Sequence, residues 1–348
     1  MKRKTAALYD PYLDTLGGGE KHILSILKVL EDEGYETNVF WDKNLKKAIE
    51  DKFNLHFNSL RFSPNVFKKN LLVKLQELNN YDLFFYVTDG SYFFSSAEKN
   101  YIFAMVPNPA LYNMNLLNKL KTLNYSFLAN SLFTGACIKK LGIEAKIIYP
   151  FVSDNFFTVT PGVPRKDVIL TVGRFFPHLH SKKQEVVIET FRRLKKDKKF
   201  KSTKLVLVGS VDPSDVDYLN NLKISIVNEP AIELKVNISY SELKNLYLTS
   251  KYFWHFTGYG VDETKEPDKV EHLGLTPLEA MAAGTIVFCY NAGGPKELID
   301  RLPTGRMRGS PVASYCTRIC DELAPCPEGY FCQADSSGQG VCFQDHPP

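Results

Sequence analysis

The stretch Glu271-His272-Leu273-Gly274-Leu275-Thr276-Pro277-Leu278-Glu279-Ala280-Met281-Ala282-Ala283-Gly284 sets two glutamates around the start of a helix. Thr276 suits an N-cap and Pro277 a first helical residue. Strong helix formers follow through Ala283, and Gly284 closes the run. The first turn of such a helix leaves N–H groups unpaired and carries partial positive charge, which makes it a place for phosphate. Glu271 precedes the helix and Glu279 stands at its third position, so both carboxylates can flank one pocket. There they would bind sugar hydroxyls rather than the phosphate itself. The plainer reading of two acids at this spacing is an amphipathic helix with surface glutamates.

Working outward, residues 252–256 and 286–290 read as strands on either side. Residues 168–174 and 205–210 are near-continuous apolar runs, the mark of buried parallel strands. Arg174 ends the first run, and Lys182 and Lys183 open the next helix. An Arg and a Lys converging there match a diphosphate, although solvated surface lysines are the simpler reading. The insert Pro177-His178-Leu179-His180 leaves the choice between Lys182 and Lys183 open. His178 and His180 read as loop histidines, since neither a carboxylate nor a third histidine accompanies them as a metal site would need. His255 either faces the pocket or is a satisfied core histidine. Gly209 could lie under a nucleotide.

The N-terminal half opens as a βαβ unit. Residues 5–9 form a strand, Gly17-Gly18-Gly19-Glu20 a turn, 21–30 a helix and 36–40 a strand. The glycines are not a G-x-G-x-x-G fingerprint. They serve either as a tight connection or, at Gly18 and Gly19, as a backbone surface approaching a donor phosphate. Further strands are expected at 83–88, 101–106, 126–129 and 146–150. Asp89-Gly90-Ser91 and Pro107-Asn108-Pro109 follow strand ends, where α/β sheets place ligands. Ser131 should cap a helix reaching 141. Residues 67–75 form a basic amphipathic stretch, read either as a core-packed helix with solvated lysines or as a peripheral membrane contact.

The chain of 348 residues is long enough for two domains. A hydrophobic share of 44% and a charged share of 24% describe a soluble globular protein, and a net charge of +4 gives no reason to expect nucleic acid. No apolar run reaches the length of a membrane span. The apolar piece after Met1-Lys2-Arg3-Lys4 is too short for a signal peptide, so a cytoplasmic location, or one at the cytoplasmic face of a membrane, is expected. Five of the seven cysteines, at 316, 320, 326, 332 and 342, crowd into the tail. Their spacing fits no zinc site. A disordered tail, a disulfide knot or a partner-binding module all remain open, as does an origin by fusion or frameshift.

The segments Gly17–Glu20, 172–174, 182–184, 271–284 and 293–297 resemble, in order and spacing, glycosyltransferase family 4 with its E-x7-E signature. Bacterial members with D-x-Y-L-D-T-L-G-G-G-E-K near the start are the most similar. The resemblance covers residues 5 to about 300 and implies an α/β fold of GT-B type, two facing Rossmann-like domains with a cleft between them. The implied plan is an acceptor domain at 1–150, a linker at 151–166, a truncated donor domain at 167–300 and an irregular Cys-rich tail at 301–348. The family's later strand and crossover helices are not legible.

The resemblance implies retaining transfer of a sugar from a nucleoside-diphosphate sugar to a glycan or lipid-linked acceptor, such as a cell-envelope glycan. Neither a cofactor nor a metal is expected. Glu271 would bind the donor sugar and Glu279 the ribose. Arg174 with Lys182 or Lys183 would hold the diphosphate. The amides of Gly274, Leu275, Thr276, Gly293 and Gly294 would hold phosphate and sugar. Two alternatives follow: a non-catalytic relative lacking the crossover helix, and a sugar-nucleotide epimerase.

Overall fold

The computed structural model describes residues 3–157, 164–300, 316–320, 330–334 and 340–344. The chain divides after Phe151 into two units.

The first unit alternates strands and helices: β1 Thr5–Tyr9, α1 Gly18–Asp32, β2 Glu36–Phe40, α2 Lys46–Phe53, β3 Arg61–Ser63, α3 Leu71–Leu78, β4 Leu83–Val87, β5 Lys99–Ala104, α4 Leu116–Lys121, β6 Tyr125–Ala129, α5 Leu132–Lys139 and β7 Ala145–Ile147. The strands pair in parallel in the order β3-β2-β1-β4-β5-β6-β7. The direction of winding reverses between β1 and β4, the place where such sheets bind ligands. Both faces of the sheet are covered. Leu8, Phe85 and Phe103 pack with Ile23, Leu24 and Leu27 of α1, while Ala7, Phe84, Tyr86 and Ile102 build a second layer with Phe40 and Leu78. This two-sided burial is why these strands read as unbroken apolar runs.

Helix α1 begins earlier than expected. Gly17 is its N-cap, and Gly18 and Gly19 lie in its first turn rather than in a loop. The cause is Glu20, whose Oε2 accepts from Gly17 N–H at 2.5 Å and from Thr15 Oγ1 at 2.8 Å, closing the turn from within. The stretch 67–75 is not one helix. A 3-10 turn spans Val66–Lys68, Phe67 stacks on Tyr9 at 3.9 Å, and Asn70 caps α3. Ser131 caps α5 through Thr134 N–H, as read.

The second unit contains β8 Lys166–Val172, α6 Gln184–Leu194, β9 Lys204–Gly209, α7 Val216–Ser225, β10 Ile232–Val236, α8 Tyr240–Thr249, β11 Ser250–His255, α9 Leu275–Ala282, β12 Ile286–Cys289 and α10 Pro295–Asp300. Three further strands follow: β13 Cys316–Cys320, β14 Tyr330–Ala334 and β15 Gly340–Gln344. The order is β10-β9-β8-β11-β12-β13-β15-β14, parallel as far as β13 and antiparallel beyond.

In the tail expected to be irregular from 301 onward, the described residues form these three strands. β13 continues the parallel sheet beside β12, with Val287 opposite Cys316. The aromatic and β-branched residues of these short strands suit pairing on an otherwise open edge. Cys332 and Cys342 stand directly opposite on β14 and β15. Cys326 and the thiol pairing of the tail lie outside the described residues.

The expected linker is also tied down at both ends, its residues 158–163 lying outside the described residues. Phe156 is buried in the core of the second unit. The Arg165 guanidinium donates to Tyr247 O, Ser250 O, Ala283 O and Thr285 Oγ1, holding the carbonyl ends of α8 and α9 together. Among the described residues, no helix is long and apolar enough to cross a membrane.

Candidate functional site

The site grows from the end of β8. Gly173 follows the strand, and a Cβ there would fall 2.3 Å from Lys182 Cγ. A Cβ at Gly209, the end of β9, would fall 2.1 Å from Gly173 O. These two glycines let the strand ends close up and let the Lys182 stem cross them. Arg174 comes next. Its carbonyl accepts from Gln184 Nε2 at 2.9 Å, and its guanidinium lies 4.8 Å from the centre of the Phe176 ring. Lys183 is the N-cap of α6, held at a φ of 52° in the left-handed region. Among the described residues, neither Arg174 nor Lys183 forms an ion pair.

Lys182 is the lysine that reaches Glu271, with Nζ 2.6 Å from Oε2. His255, at the end of β11, places Nε2 2.8 Å from the same oxygen. A carboxylate can only accept, so His255 donates Nε2–H. Glu271 Oε1 accepts from the His272 N–H at 3.2 Å. Burial pushes the Glu271 carboxyl up, but the Lys182 ammonium and the His255 hydrogen bond outweigh it. The carboxyl is held well below its usual range. Burial lowers His255 and keeps it neutral against the pull of Glu271. Burial also lowers His180 well below its ordinary value, reinforced by His272, Lys182 and Arg174. Its Nδ1 is buried without a hydrogen-bond partner among the described residues, and its ring lies 5.0 Å from that of His272.

Helix α9 starts two residues earlier than read. Its N-cap is Gly274, at a φ of 97°, so Thr276 and Pro277 lie inside the first turn and Glu279 is the fifth helical residue. Gly274 O accepts from Leu278 N–H, which makes Gly274 the first acceptor of the helix. A side chain at 274 would be strained by φ and would press on Glu271 Cγ at 3.3 Å. Glu279 is buried and faces Tyr247 of α8, whose phenol is pushed well up by burial and then by the Glu279 charge.

Gly293 and Gly294 differ from expectation. Gly293 N–H donates to Glu263 Oε2 at 2.5 Å and Gly294 N–H to Glu271 O at 2.8 Å, so both donors are engaged. Their smallness serves packing. A Cβ at Gly293 would fall 2.2 Å from Glu271 O, and one at Gly294 2.2 Å from His272 O. The loop after β12 thus lies against the backbone that carries Glu271.

In the first unit, Gly19 faces Met105, where a Cβ would fall 2.5 Å from the sulfur. Asp89 Oδ1 accepts from Tyr86 Oη at 2.5 Å and from Ser91 N–H at 2.9 Å, and Asn108 caps a 3-10 turn. Sequence reasoning passed over Asp10, buried at the end of β1. Its Oδ1 accepts from Tyr12 N–H, its Oδ2 has no partner among the described residues, and burial with Glu20 raises it well above the usual range. An aspartate at the end of an apolar strand was the available signal. Among the described residues, no group of three or more His, Cys, Asp or Glu side chains is set to hold a metal ion.

Residues 153–308 match the glycosyl transferases group 1 family. The chain is 31% identical to a mouse GDP-Man:Man(3)GlcNAc(2)-PP-Dol alpha-1,2-mannosyltransferase over 45% of this chain and 31% of that protein. It is 24% identical to alpha-1,3/1,6-mannosyltransferase ALG2 of Eremothecium gossypii, over 85% of this chain and 70% of that one. The chain thus spans about a third of the length of the mouse relative. These relatives are eukaryotic. Among solved structures, Anabaena Alr3699/HepE in complex with UDP and glucose gives a TM-score of 0.61 at 18% identity, over 86% of this chain and 83% of that one. A glycosyltransferase from Rickettsia africae gives 0.62 at 18% identity, over 86% and 82%. The chain therefore has an α/β fold of GT-B type with two parallel-sheet units.

Proposed function

We propose that this chain is a retaining glycosyltransferase of family 4, moving a sugar from a nucleoside-diphosphate sugar to a hydroxyl of a glycan or lipid-linked acceptor. The observation that carries this reading is Glu271, a buried carboxylate kept ionised by Lys182 and His255 in front of the α9 N-terminus. Glu271 accepts from donor sugar hydroxyls, and Glu279 takes the ribose. Arg174 and Lys183 are not committed to carboxylates among the described residues, and with the amides of Gly274, Leu275 and Thr276 they hold the diphosphate. Lys182 keeps Glu271 charged and oriented.

In the reaction the bond from the anomeric carbon to the diphosphate breaks, a bond to the acceptor oxygen forms on the same face, and the acceptor's hydroxyl proton is released with the nucleoside diphosphate. The departing diphosphate gains negative charge. Arg174, Lys183 and the α9 N-terminus stabilise that charge without needing a divalent ion. The mouse and Eremothecium gossypii relatives are both named as mannosyltransferases, and the mouse protein's name includes GDP-Man. GDP-mannose is therefore the donor to try first. A lipid-linked acceptor would bring the chain to the cytoplasmic face of a membrane as a peripheral protein.

The test is an assay of the full chain with GDP-mannose, UDP-glucose and ADP-glucose, with and without a polyprenyl-linked glycan. Acceptor-dependent transfer with retained anomeric configuration supports the proposal. Nucleotide binding without turnover would point to a non-catalytic relative, and isomerised donor without acceptor to an epimerase.

A further inference from the structure

Helices α3 and α4 of the first unit expose their leucines. Leu72 is 71% exposed, Leu116 77% and Leu123 79%, and Leu71, Leu117 and Leu120 are exposed beside them. Apolar side chains left in water at this density mark a contact surface rather than scatter.

The two helices meet at one short loop. Ser96 Oγ donates to Leu75 O of α3, and Asn124 Nδ2, just beyond α4, donates to Ser95 O at 2.9 Å. Phe94 of the same loop is exposed, and Lys74 Nζ lies 5.9 Å from the Phe93 ring centre. The exposed leucines therefore belong to one edge of the unit.

Charge says what covers them. The chain carries 39 acidic residues, yet there are none from residue 52 through 76 or from 99 through 143. Those stretches hold all of α4 and all of α3 except its last two residues, Glu77 and Leu78, with Lys68, Lys69, Lys74, Lys119 and Lys121 around the leucines. A protein partner with a matching apolar face would not require acids to be so scarce around the leucines. A lipid surface with anionic headgroups does, since leucines enter the acyl boundary while lysine stems lie along it with their ammonium groups in the headgroup layer.

We propose that the leucine face of α3 and α4 docks onto an anionic lipid bilayer. This deepens the acceptor side of the transferase reading without resting on donor chemistry.

The experiment is flotation of the full chain with vesicles of phosphatidylcholine alone and of phosphatidylcholine with phosphatidylglycerol. Two triple variants accompany it: Leu116→Ser/Leu117→Ser/Leu123→Ser and Lys68→Glu/Lys69→Glu/Lys119→Glu. Thermal melts and GDP titration report whether each variant remains folded, and the lysine variant changes only exposed positions. The parent should float with phosphatidylglycerol vesicles, less so as salt rises, and each variant should partition at least about tenfold less. Failure to float, equal binding to phosphatidylcholine alone, or undiminished binding by the lysine variant would overturn the proposal. So would a concentration-dependent dimer in sedimentation velocity that the leucine variant abolishes, which would assign the face to a second copy. GDP binding retained while flotation fails would sink this inference alone.

Discussion

Lys182 Nζ lies 2.6 Å from Glu271 Oε2, joining the loop before α6 to the loop before α9 across the ends of β8 and β11. His255 donates to the same oxygen. Both side chains of the ion pair are largely out of water, at 13% and 11% exposure, so the pair is worth most when judged by what its loss leaves behind.

Lys182→Met should strand Glu271 as a buried charge. Removing one partner of such a pair costs about 3–5 kcal/mol. Urea denaturation should show that loss, and adding Glu271→Gln in the Lys182→Met background should restore part of it. Additive losses in the double variant would mean the two residues are not coupled.

The glycines separate two causes of intolerance. At Gly294 a Cβ would fall 2.2 Å from His272 O and 2.4 Å from Leu273 Cα, both backbone, which cannot swing aside. Gly34 has a φ of 87° but nothing within 4 Å of its would-be Cβ. Gly34→Ala should therefore cost about 1 kcal/mol, the left-handed penalty alone. Gly294→Ala should cost at least about 3 kcal/mol. Thermal melts of the two variants provide the comparison, and equal losses would contradict the packing described for the loop after β12.

His22 of α1 gives a pH prediction. It is buried against Phe103, and burial lowers it from 6.5 to about 4. The unfolded chain binds this proton below about pH 6.5, while the folded chain resists it until about pH 4. The neutral form's advantage is thus complete above pH 6.5 and is lost as pH falls from there to about 4, amounting to about 3 kcal/mol. His22→Leu should flatten the stability profile of the first unit in that window. An unchanged slope between pH 6.5 and 4 would show that His22 titrates normally.

Much of this was legible because buried parallel strands announce themselves. The runs at 168–174 and 205–210 became β8 and β9, and 83–88 became β4, because both faces of those strands are covered. Edge strands gave a weaker signal. β3 is three residues with an exposed Arg61, and β10 alternates Ile-Glu-Leu-Lys-Val, so neither forms an apolar run. Cap positions slipped by two or three residues, since Gly274 and Gly17 take the places that side-chain caps would fill, and a glycine cap is indistinguishable in sequence from a loop.

The candidate site was legible in its residue types but not in its pairings. Nothing in spacing says that Lys182 rather than Lys183 meets Glu271, because the choice depends on how the Pro177–His180 insert folds. Nor does spacing reveal that Glu263 occupies the Gly293 amide, a contact between residues thirty positions apart.

The most direct test of the account is calorimetric titration of GDP and UDP into the parent chain, Arg174→Ala and Glu279→Ala. The parent should bind at least one of the two nucleotides, and each substitution should weaken that binding at least about tenfold, as loss of a charged hydrogen-bonding group does. Melting curves should show each variant folded. Unchanged nucleotide affinity in both folded variants would contradict the claim that the end of β8 and the start of α9 hold an activated sugar.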